Sequence, residues 1–487
     1  MEILRNILVA SSLLLATTAS AQSGQPYIHD PSTLAECDGK WYTFGTGSGG
    51  IITEDGWNWK GGGVRPGGGA APDVIKIGDR YLVIYGATGG GLGGGHNGRI
   101  LTMWNKTLDP QSPDFKYSTA IEVASSDGME DNDAIDPGVL LDPTTGRLWM
   151  SYGTYFGNIR LVELDPNTGE RVKGNEAIDI AIDCEASDLI YRNGYYYLLG
   201  THGTCCDGVN STYNIVVGRS RSVTGPYIDN VNRDMFHGGG KMVIAAGDRV
   251  CGPGHFGRTI IDEGVEIMSC HYEADFDQGG RSVLGIRPLL WKNDWPVAGD
   301  RFKEGTYMIE SERRGYSLEL SVDFVRMQGG MRMFGPRDNN QQQEAPKPVE
   351  NQKLQDVIGT WPSGNINVRI GDYMFRPHQR WTITAVPEAG GYLSNPYFKI
   401  TIEGTNRALA ATADCEVTSV PEFTGAAEQL WRIEQLTDGT FRIMPKQIPG
   451  QEGINKRMVL YSAGDCTPTL AEYDFNSDNS KWNFRNH

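Results

Sequence analysis

The segment Ile135-Asp136-Pro137-Gly138 and the strand Arg147-Leu148-Trp149-Met150-Ser151-Tyr152 that follows it are the clearest copy of the pattern that decides the fold. In each copy, a polar segment marked by proline or glycine leads into a short apolar run, a glycine turn and an aromatic-rich strand. Copies recur from Asp30 to about Trp295 at steps of roughly 40–70 residues, the length of a four-stranded antiparallel sheet with its loops. The first part of the chain is therefore built from repeated small sheets.

The pattern occurs five times, which predicts five sheets. The copies open with His29-Asp30-Pro31-Ser32, Ala71-Pro72-Asp73-Val74, Ile135-Asp136-Pro137-Gly138, Cys184-Glu185-Ala186-Ser187 and Gly252-Pro253-Gly254-His255. Five sheets around one axis form an all-β five-bladed β-propeller, which buries sheet faces between neighbours and leaves a central channel. If each opening segment begins the innermost strand of its blade, its polar residue faces one channel mouth. These residues are Asp30, Asp73, Asp136, Glu185 and His255. An irregular β-sandwich is the alternative fold.

The composition fits a large all-β protein and excludes several classes of partner. A chain of 487 residues holds two or three domains at roughly 100–200 residues each. The 63 glycines against 24 prolines indicate many tight turns. Lys and Arg total 44 while Asp and Glu total 60, a net charge of −16, so the surface repels phosphate backbones and anionic membranes. We therefore expect no nucleic acid partner.

The N-terminal residues have the features of a secretory signal peptide. A weakly basic start precedes a mostly apolar segment, and Ala19-Ser20-Ala21 before Gln22 matches the small-x-small cleavage rule. This predicts a signal peptide over residues 1–21 and an exported protein, periplasmic or extracellular; an apolar N-terminal strand is the alternative. Later segments fall short of the ~18 consecutive apolar residues that a membrane span needs, so we expect no membrane span.

A second repeat occupies the rest of the chain. Its three copies each end near a tryptophan, in Gln379-Arg380-Trp381, Gln429-Leu430-Trp431 and Ser480-Lys481-Trp482. The threefold pattern resembles the ricin-type β-trefoil, whose copies carry a Gln-x-Trp signature that is degraded in the third copy here. We assign residues 22–297 to the propeller and residues 298–487 to a trefoil domain. By resemblance, this domain is a candidate for carbohydrate binding, with a bracing role for the propeller as the alternative.

Three carboxylates from different blades point to acid–base chemistry. Carboxylates that lie close together suppress each other's ionisation and raise at least one pKa, a cost found mainly where chemistry needs it. Glycoside cleavage uses such a set: one carboxylic acid protonates the leaving oxygen, and one carboxylate activates water or attacks carbon. Asp30, Asp136 and Glu185 are the candidates, and the third acid can keep the pKa of the proton donor high.

The propeller region resembles glycoside hydrolase family 43, and within it the arabinanases. The matching motifs are His29-Asp30-Pro31-Ser32, Asp55-Gly56-Trp57-Asn58-Trp59, Ala71-Pro72-Asp73, Ala134-Ile135-Asp136-Pro137, Glu185-Ala186, Cys205-Cys206-Asp207-Gly208-Val209-Asn210-Ser211-Thr212-Tyr213 and Arg287-Pro288-Leu289. The resemblance implies a five-bladed propeller and hydrolysis that inverts the anomeric carbon. It assigns Asp30 as general base, Glu185 as general acid and Asp136 as modulator of the acid's pKa.

The same resemblance implies the substrate. We expect an enzyme that cleaves α-L-arabinofuranosyl linkages of arabinan, a pectic side chain of the plant cell wall, in endo or exo mode. One alternative is a family 43 hydrolase acting on galactan side chains. Another is a carbohydrate-binding protein with a silent propeller, against which the presence of all three carboxylates speaks. Ala70, where the family usually has tryptophan, and the glycine-rich segments 61–69 and 86–98 put an open, endo-acting groove in doubt.

His255 is the candidate metal ligand. Its place in the repeat aims it down the channel, and the arabinanases hold a hydrated cation, commonly calcium, through a histidine at the matching Gly-x-Gly-His segment. The resemblance therefore implies calcium held by His255 and water, and no organic cofactor is expected. Calcium usually prefers oxygen ligands, so a single imidazole predicts a weak, water-rich site. A hydrogen-bonded structural histidine is the alternative.

Further residues are candidates for contact with the substrate. Aromatic side chains in loops near the opening segments can stack on furanose rings, and polar residues in the matching motifs can line the cleft. The candidates are Asp73, Trp57, Trp59, Tyr155, Phe156, Asn210, Ser211 and Arg287. For Asn210 and Ser211 the alternative is that they only fix their loop. In the same loop, Cys205 and Cys206 form either a vicinal disulfide or two packed thiols.

Overall fold

The computed structural model describes residues 22–47, 49–63, 69–87, 97–126, 132–322, 354–393, 395–451, 457–464 and 467–486. The predicted signal peptide over residues 1–21 lies outside the described residues, as do the central parts of both glycine-rich segments. Within the described ranges the fold is almost entirely β-structure, with one short α-helix, α1 (Leu354–Ile358). In this part of the chain no helix has the length and apolar character needed to cross a membrane.

The predicted five-bladed propeller is confirmed. Five antiparallel sheets follow one another along the chain, each built from four consecutive strands. Their strands are short apolar runs because neighbouring blades cover both faces of each sheet. Blade 1 holds β2 (Ala35–Cys37), β3 (Lys40–Phe44), β4 (Gly50–Thr53) and β5 (Asn58–Gly61), with β1 (Ser23–Gly24) added in parallel at its outer edge. Blade 2 holds β6 (Ala70–Ile77), β7 (Arg80–Ala87), β8 (Arg99–Asn105) and β9 (Ile121–Ser125).

The other three blades repeat this arrangement. Blade 3 holds β10 (Gly138–Leu141), β11 (Leu148–Tyr152), β12 (Asn158–Leu164) and β13 (Ile178–Ile182). Blade 4 holds β14 (Glu185–Arg192), β15 (Tyr195–His202), β16 (Asn214–Ser220) and β17 (Lys241–Ile244). Blade 5 holds β18 (Val250–Asp262), β19 (Val265–Asp275), β20 (Arg281–Lys292) and β21 (Trp295–Ala298). The ring closes where Leu284 N–H donates to Pro26 O at 2.8 Å and Ser282 Oγ donates to Ile28 O at 2.8 Å.

Each blade has a backbone kink within its innermost strand or in the residues just before it. The kink residue has a positive φ in every blade: Asp30 (50°), Ala71 (46°), Asp136 (53°), Ala186 (46°) and His255 (62°). In blades 2, 4 and 5 an irregularity in the inner hairpin spans this residue, and such bulges re-aim neighbouring side chains.

These kinks correct the predicted register of the repeat. Glu185 comes one residue before its kink at Ala186, and Asp73 comes two residues after its kink at Ala71. Asp30, Asp136 and His255 are therefore equivalent positions, whereas Glu185 and Asp73 each occupy a different place. The sequence pattern could not separate these positions because all of them lie within the same short segment of the repeat.

The C-terminal domain has a threefold core. Its largest sheet holds ten strands and closes on itself through additional pairings. Its ten strands are β22 (Gly305–Ser311), β23 (Ser317–Leu320), β24 (Ile366–Gly371), β25 (Trp381–Ala385), β28 (Phe398–Ile402), β29 (Ala408–Ala411), β30 (Val417–Val420), β31 (Trp431–Gln435), β32 (Phe441–Pro445) and β35 (Trp482–Arg485). Two separate two-stranded sheets pair β26 (Gly391–Tyr392) with β27 (Asn395–Pro396) and β33 (Met458–Ala463) with β34 (Thr467–Glu472).

The three repeated tryptophans sit in equivalent surroundings. Trp381, Trp431 and Trp482 are fully buried, and each follows a short 3-10 turn. Each indole N–H donates to a backbone carbonyl, and the acceptors are those of Leu318, Leu409 and Leu460 respectively. This repetition in space is what the trefoil prediction requires.

The two domains pack against each other at blades 1 and 5. On blade 1, Leu393 N–H donates to Asp55 O at 3.0 Å, and the backbone of Gly391 lies against the indole of Trp57. Trp57 is 2% exposed and Trp59 is 0% exposed. Both side chains belong to this interface and the adjoining core, so the prediction that they stack on substrate is wrong.

Candidate active site

Asp30 lies among three histidines at the channel mouth. Its Oδ1 is 3.6 Å from His29 Nε2, 3.7 Å from His255 Nδ1 and 3.7 Å from His271 Nδ1. Thr46 Oγ1 donates to its Oδ2 at 2.5 Å. Burial raises the pKa of Asp30, but the imidazoles and the hydroxyl together outweigh burial and lower it. Asp30 is therefore ionised, the state that a general base needs.

Glu185 has the opposite environment. It is the first residue of β14 and is 7% exposed, and the hydroxyl of Tyr213 donates to its Oε1. Burial, followed by the charges of Asp136 and Asp30, raises the pKa of Glu185 to about 9. Glu185 is therefore protonated at neutral pH, the state that a general acid needs.

Asp136 interacts with both of these regions of the site. Its carboxylate accepts the backbone N–H of Ala186, the residue next to Glu185, while burial and the charge of Asp30 raise its pKa well above the usual range. Asp133, a fourth acid, also raises the pKa values of Asp136 and Glu185. The structure thus brings the three predicted carboxylates to one channel mouth, with one carboxyl group in a low-pKa environment and two in high-pKa environments.

Asp73 of blade 2 is buried, and its carboxylate accepts hydrogen bonds from blades 1 and 3. Its Oδ1 accepts Thr33 N–H and its Oδ2 accepts Val139 N–H, both at 3.1 Å. Thr33 precedes β2 of blade 1 and Val139 belongs to β10 of blade 3, so this carboxylate of blade 2 links three blades. The residue is 5% exposed. A structural contact therefore replaces the predicted contact with substrate, because both carboxylate oxygens bind backbone.

Tyr155 and Phe156 lie beside the acids. Burial, and then the charges of Glu185 and Asp136, raise the pKa of the Tyr155 hydroxyl. The rings of Tyr155 and Phe156 are 4.6 Å apart, and Phe156 is 52% exposed. This partly exposed aromatic pair next to Glu185 offers an apolar surface, and its contact with a sugar ring stays a prediction.

Asn210 and Ser211, two further candidates for contact with substrate, lie in different environments. Asn210 is exposed and stays a candidate for substrate contact. Ser211 is 7% exposed; its Oγ donates to Thr204 O at 2.7 Å and accepts Tyr213 N–H at 3.2 Å. Ser211 therefore fixes its loop, as the alternative interpretation holds.

Arg287 is also structural. It is 7% exposed on β20, its Nε donates to Gly299 O at 2.8 Å, and its Nη2 lies 3.1 Å from Asp300 Oδ1. These contacts hold the segment that leads into the C-terminal domain. The predicted contact between Arg287 and substrate is wrong.

His255 fits a cation ligand. Its Nδ1 is buried and has no hydrogen-bond partner among the described residues. Burial lowers the pKa of His255 to about 4, so the ring is neutral at neutral pH, as a metal ligand must be. A different group of side chains could also hold a metal ion: one donor atom each from His29, Asp30 and His271 lie within 4.8 Å of one another. His255 is not part of this group.

Sequence reasoning missed the residues that contact the predicted catalytic carboxylates, Asp30 and Glu185. Thr46, His271 and Glu273 lie on the side of Asp30, and Tyr213 lies on the side of Glu185. The available signal was the pair of polar residues at 271 and 273 inside the apolar strand β19, because buried polar groups need partners. The structure also settles one open alternative: Cys205 and Cys206 form a vicinal disulfide.

Comparisons with known proteins agree with this geometry. The family model of glycosyl hydrolases family 43 matches residues 50–296. An extracellular exo-alpha-(1->5)-L-arabinofuranosidase of Cellvibrio japonicus is 33% identical over 323 residues, which cover 59% of this chain and 91% of that protein. An extracellular endo-alpha-(1->5)-L-arabinanase of Bacillus subtilis is 29% identical over 325 residues, covering 59% of this chain and 94% of that protein.

A solved structure shares the propeller. The crystal structure of an exo-1,5-alpha-L-arabinanase from a bovine ruminal metagenomic library superposes with a TM-score of 0.52 at 32% identity, covering 56% of this chain and 97% of that chain. The family model ends at residue 296, within the last propeller strand β21. By its motifs, its propeller and these relatives, the chain belongs to glycosyl hydrolases family 43.

Proposed function

We propose that this protein is an exported glycoside hydrolase that cleaves α-L-arabinofuranosyl linkages of arabinan with inversion at the anomeric carbon. The observation that carries the proposal is the contrast between two carboxylates at one channel mouth. Asp30 has a lowered pKa, and Glu185 has a pKa raised to about 9. Titratable neighbours whose pKa values are pushed apart mark a base and an acid.

The reaction follows from these two protonation states. Glu185 gives its proton to the glycosidic oxygen as the bond from that oxygen to the anomeric carbon breaks. Asp30 takes a proton from a water molecule whose oxygen attacks the anomeric carbon from the opposite face. Solvent then returns Asp30 to its ionised form and Glu185 to its protonated form. Asp136 favours the protonated form of Glu185 between turnovers, because two neighbouring carboxylates resist ionising together.

The substrate class rests on the relatives and on the aromatic pair. The names of the two relatives are exo-alpha-(1->5)-L-arabinofuranosidase and endo-alpha-(1->5)-L-arabinanase, and both specify a (1->5) linkage of L-arabinose units. The exposed Phe156 and its neighbour Tyr155 supply a stacking surface beside Glu185. Export is supported by the signal features of residues 1–21 and by the extracellular location in both relatives' names.

A cation is part of the proposal. His255 Nδ1 would bind calcium, with water completing the shell, and the nearest carboxylate oxygen is Asp30 Oδ1, 3.7 Å from that nitrogen. When bound, the ion would add positive charge beside Asp30 and favour its ionised form.

Product analysis tests the proposal. Purified protein is incubated with linear 1,5-α-L-arabinan and with galactan, and the products are separated over time. Oligosaccharides from arabinan indicate endo cleavage, and arabinose alone indicates exo cleavage. Asp30→Ala and Glu185→Ala should abolish release and retain binding. Binding without release by the wild-type protein would instead support a lectin-like protein, and release from galactan alone would support the galactan alternative.

A further inference from the structure

The loop between β15 and β16, residues 203–213, is a closed unit beside the active site. Thr204 N–H donates to Thr212 Oγ1 at 3.1 Å, and Thr212 N–H donates to Thr204 Oγ1 at 3.2 Å. Ser211 Oγ adds a bond to Thr204 O at 2.7 Å. Because its neck is fastened by its own residues, the loop can act as one rigid body.

The Cys206 side of this loop is connected to Asp30, the proposed base, through the buried side chains of Glu273 and His271. Cys206 N–H donates to Glu273 Oε1 at 2.9 Å, and the same oxygen lies 3.7 Å from His271 Nε2. His271 Nδ1 accepts the backbone N–H of Asp30 at 3.0 Å. Since Nδ1 accepts, the proton of a neutral His271 resides on Nε2 and faces Glu273. The Glu273 carboxylate therefore lies at ion-pair distance, not hydrogen-bond distance, from the nitrogen of the imidazole that faces away from Asp30.

Glu273 is buried, so its contacts with the Cys206 N–H and with His271 are needed to stabilise it. Glu273 is 5% exposed and His271 is 0% exposed. Burial raises the pKa of Glu273, but His271 and the N–H of Cys206 outweigh burial and lower it, so the carboxylate is ionised. An ionised carboxylate is costly to bury unless it is paired and hydrogen-bonded. Its two partners are the loop and the histidine that holds Asp30.

The C-terminal end of the loop contacts Glu185, the proposed acid. Tyr213 is the last residue of the loop, is 5% exposed, and donates its hydroxyl proton to Glu185 Oε1. The same loop therefore contacts Glu185 directly and Asp30 through Glu273 and His271.

The vicinal disulfide shapes the base side of the loop. Cys206 has a φ of 61°, in the left-handed region that non-glycine residues rarely occupy. Its disulfide to Cys205 restricts this turn, and the turn aims the Cys206 N–H at Glu273. Glycine is the residue that adopts such a φ without a side-chain penalty.

We propose that loop 203–213 positions the two catalytic carboxylates relative to each other, with Glu273 and His271 as positioning residues for Asp30 and Tyr213 as the positioning residue for Glu185. The inference rests on the proposed function and deepens it. An inverting reaction needs a fixed gap for water between base and acid, and one rigid loop that contacts both sides maintains that gap.

Two substrates distinguish the effect of the loop on Asp30 from its effect on Glu185. Arabinotetraose needs a proton on its leaving oxygen, whereas 2,4-dinitrophenyl α-L-arabinotrioside has a leaving group that departs without one; both need the base. Glu273→Ala should lower kcat on both substrates, by roughly 10–100-fold, the usual effect of losing an orienting partner. Glu273→Gln keeps an acceptor for the Cys206 N–H and should recover most of that loss. KM should stay within about threefold in both variants.

The contact between Tyr213 and Glu185 is tested by a separate variant. Tyr213→Phe should lower kcat on arabinotetraose by about tenfold and leave kcat on the dinitrophenyl substrate within about twofold, because only proton donation is impaired. Equal losses on both substrates would overturn the role of Tyr213. A raised KM with unchanged kcat in Glu273→Ala, or a loss on arabinotetraose alone, would overturn the role of Glu273.

The disulfide gives a test that leaves the buried residues untouched. The double variant Cys205→Ser with Cys206→Ser should lower kcat several-fold on both substrates, and Cys205→Ser with Cys206→Gly should recover most of it. Wild-type kcat in both double variants would overturn the loop's role, and this test applies even if Glu273→Ala fails to fold. If the wild-type protein hydrolyses neither substrate, the proposed function fails with it; if it hydrolyses both and every variant matches it, only the positioning proposal fails.

Discussion

The carboxylate of Asp136 accepts the backbone N–H of Ala186, the residue that follows Glu185 in β14. This bond fixes Asp136 next to the acid through the backbone, and the charge of Asp136 contributes to the pKa of about 9 at Glu185. The two carboxyl groups therefore titrate as a coupled pair. Asp136, whose backbone forms the kink of blade 3, thus raises the pKa of Glu185 in blade 4.

Asp136→Asn should move the basic limb of the pH–rate profile to lower pH. Removing one carboxyl group removes its repulsion, so Glu185 loses its proton earlier as pH rises. We expect the basic limb of kcat/KM to fall by about one pH unit or more. The profile is measured from about pH 5 to pH 10, with Asp114→Asn, an exposed acid of blade 2, as control. An unchanged basic limb would contradict the coupling.

Glu185→Gln should stabilise the protein at alkaline pH. Glu185 has a raised pKa in the native state, so above its ordinary pKa the unfolded chain releases a proton that the native state retains. Native stability therefore falls as pH rises from the ordinary glutamate range toward about 9. Glutamine cannot ionise and removes this loss. We expect Tm at about pH 8 to rise by a few degrees over wild type, and the difference to vanish near pH 4. An equal difference at both pH values would count against a raised pKa.

Removal of calcium should lower activity. A cation at His255 would favour the ionised form of Asp30, so dialysis against a chelator is expected to reduce kcat several-fold, and added calcium should restore it. His255→Ala should show low activity that neither treatment changes. Full activity after chelation, with metal analysis finding no bound ion, would refute the cation's role.

Phe156→Ala should weaken substrate binding. If the exposed ring stacks on substrate and takes no part in proton transfer, KM for arabino-oligosaccharides should rise about tenfold with little change in kcat. Ile260→Ala is the matched control, since Ile260 is 62% exposed near the far end of β18. A kcat effect without a change in KM would place Phe156 outside the substrate site.

The sequence predicts the architecture well because repetition is a strong signal. Five aromatic-rich hairpins and three tryptophan motifs define the number and order of units before any contact is known. Asp30 and Asp136 also follow from their equivalent places in the repeat, whereas the repeat locates Glu185 only to the right segment. Buried Trp57 could not be separated from surface residues in this way, because it packs against Gly391, far away along the chain. Arg287 could not either, because its contacts with Gly299 and Asp300 lie beyond the last strand of the repeat.

The fine register of the site also lies beyond sequence patterns. The kinks at Ala71 and Ala186 move Asp73 into the blade junctions and Glu185 to the channel mouth, although both acids lie within the same short segment of the repeat. The buried contacts of His271 and Glu273 depend on the loop that carries Cys206. That loop belongs to another blade, so local periodicity carries no information on this pairing.

The anomer released first from an α-linked arabino-oligosaccharide tests the central claim most directly. Proton NMR during the first minutes of hydrolysis distinguishes the two anomers before they interconvert. With Asp30 activating water and Glu185 protonating the leaving oxygen, the β anomer should appear first, and Glu185→Gln should abolish its appearance. Initial release of the α anomer, or undiminished release by Glu185→Gln, would contradict the account.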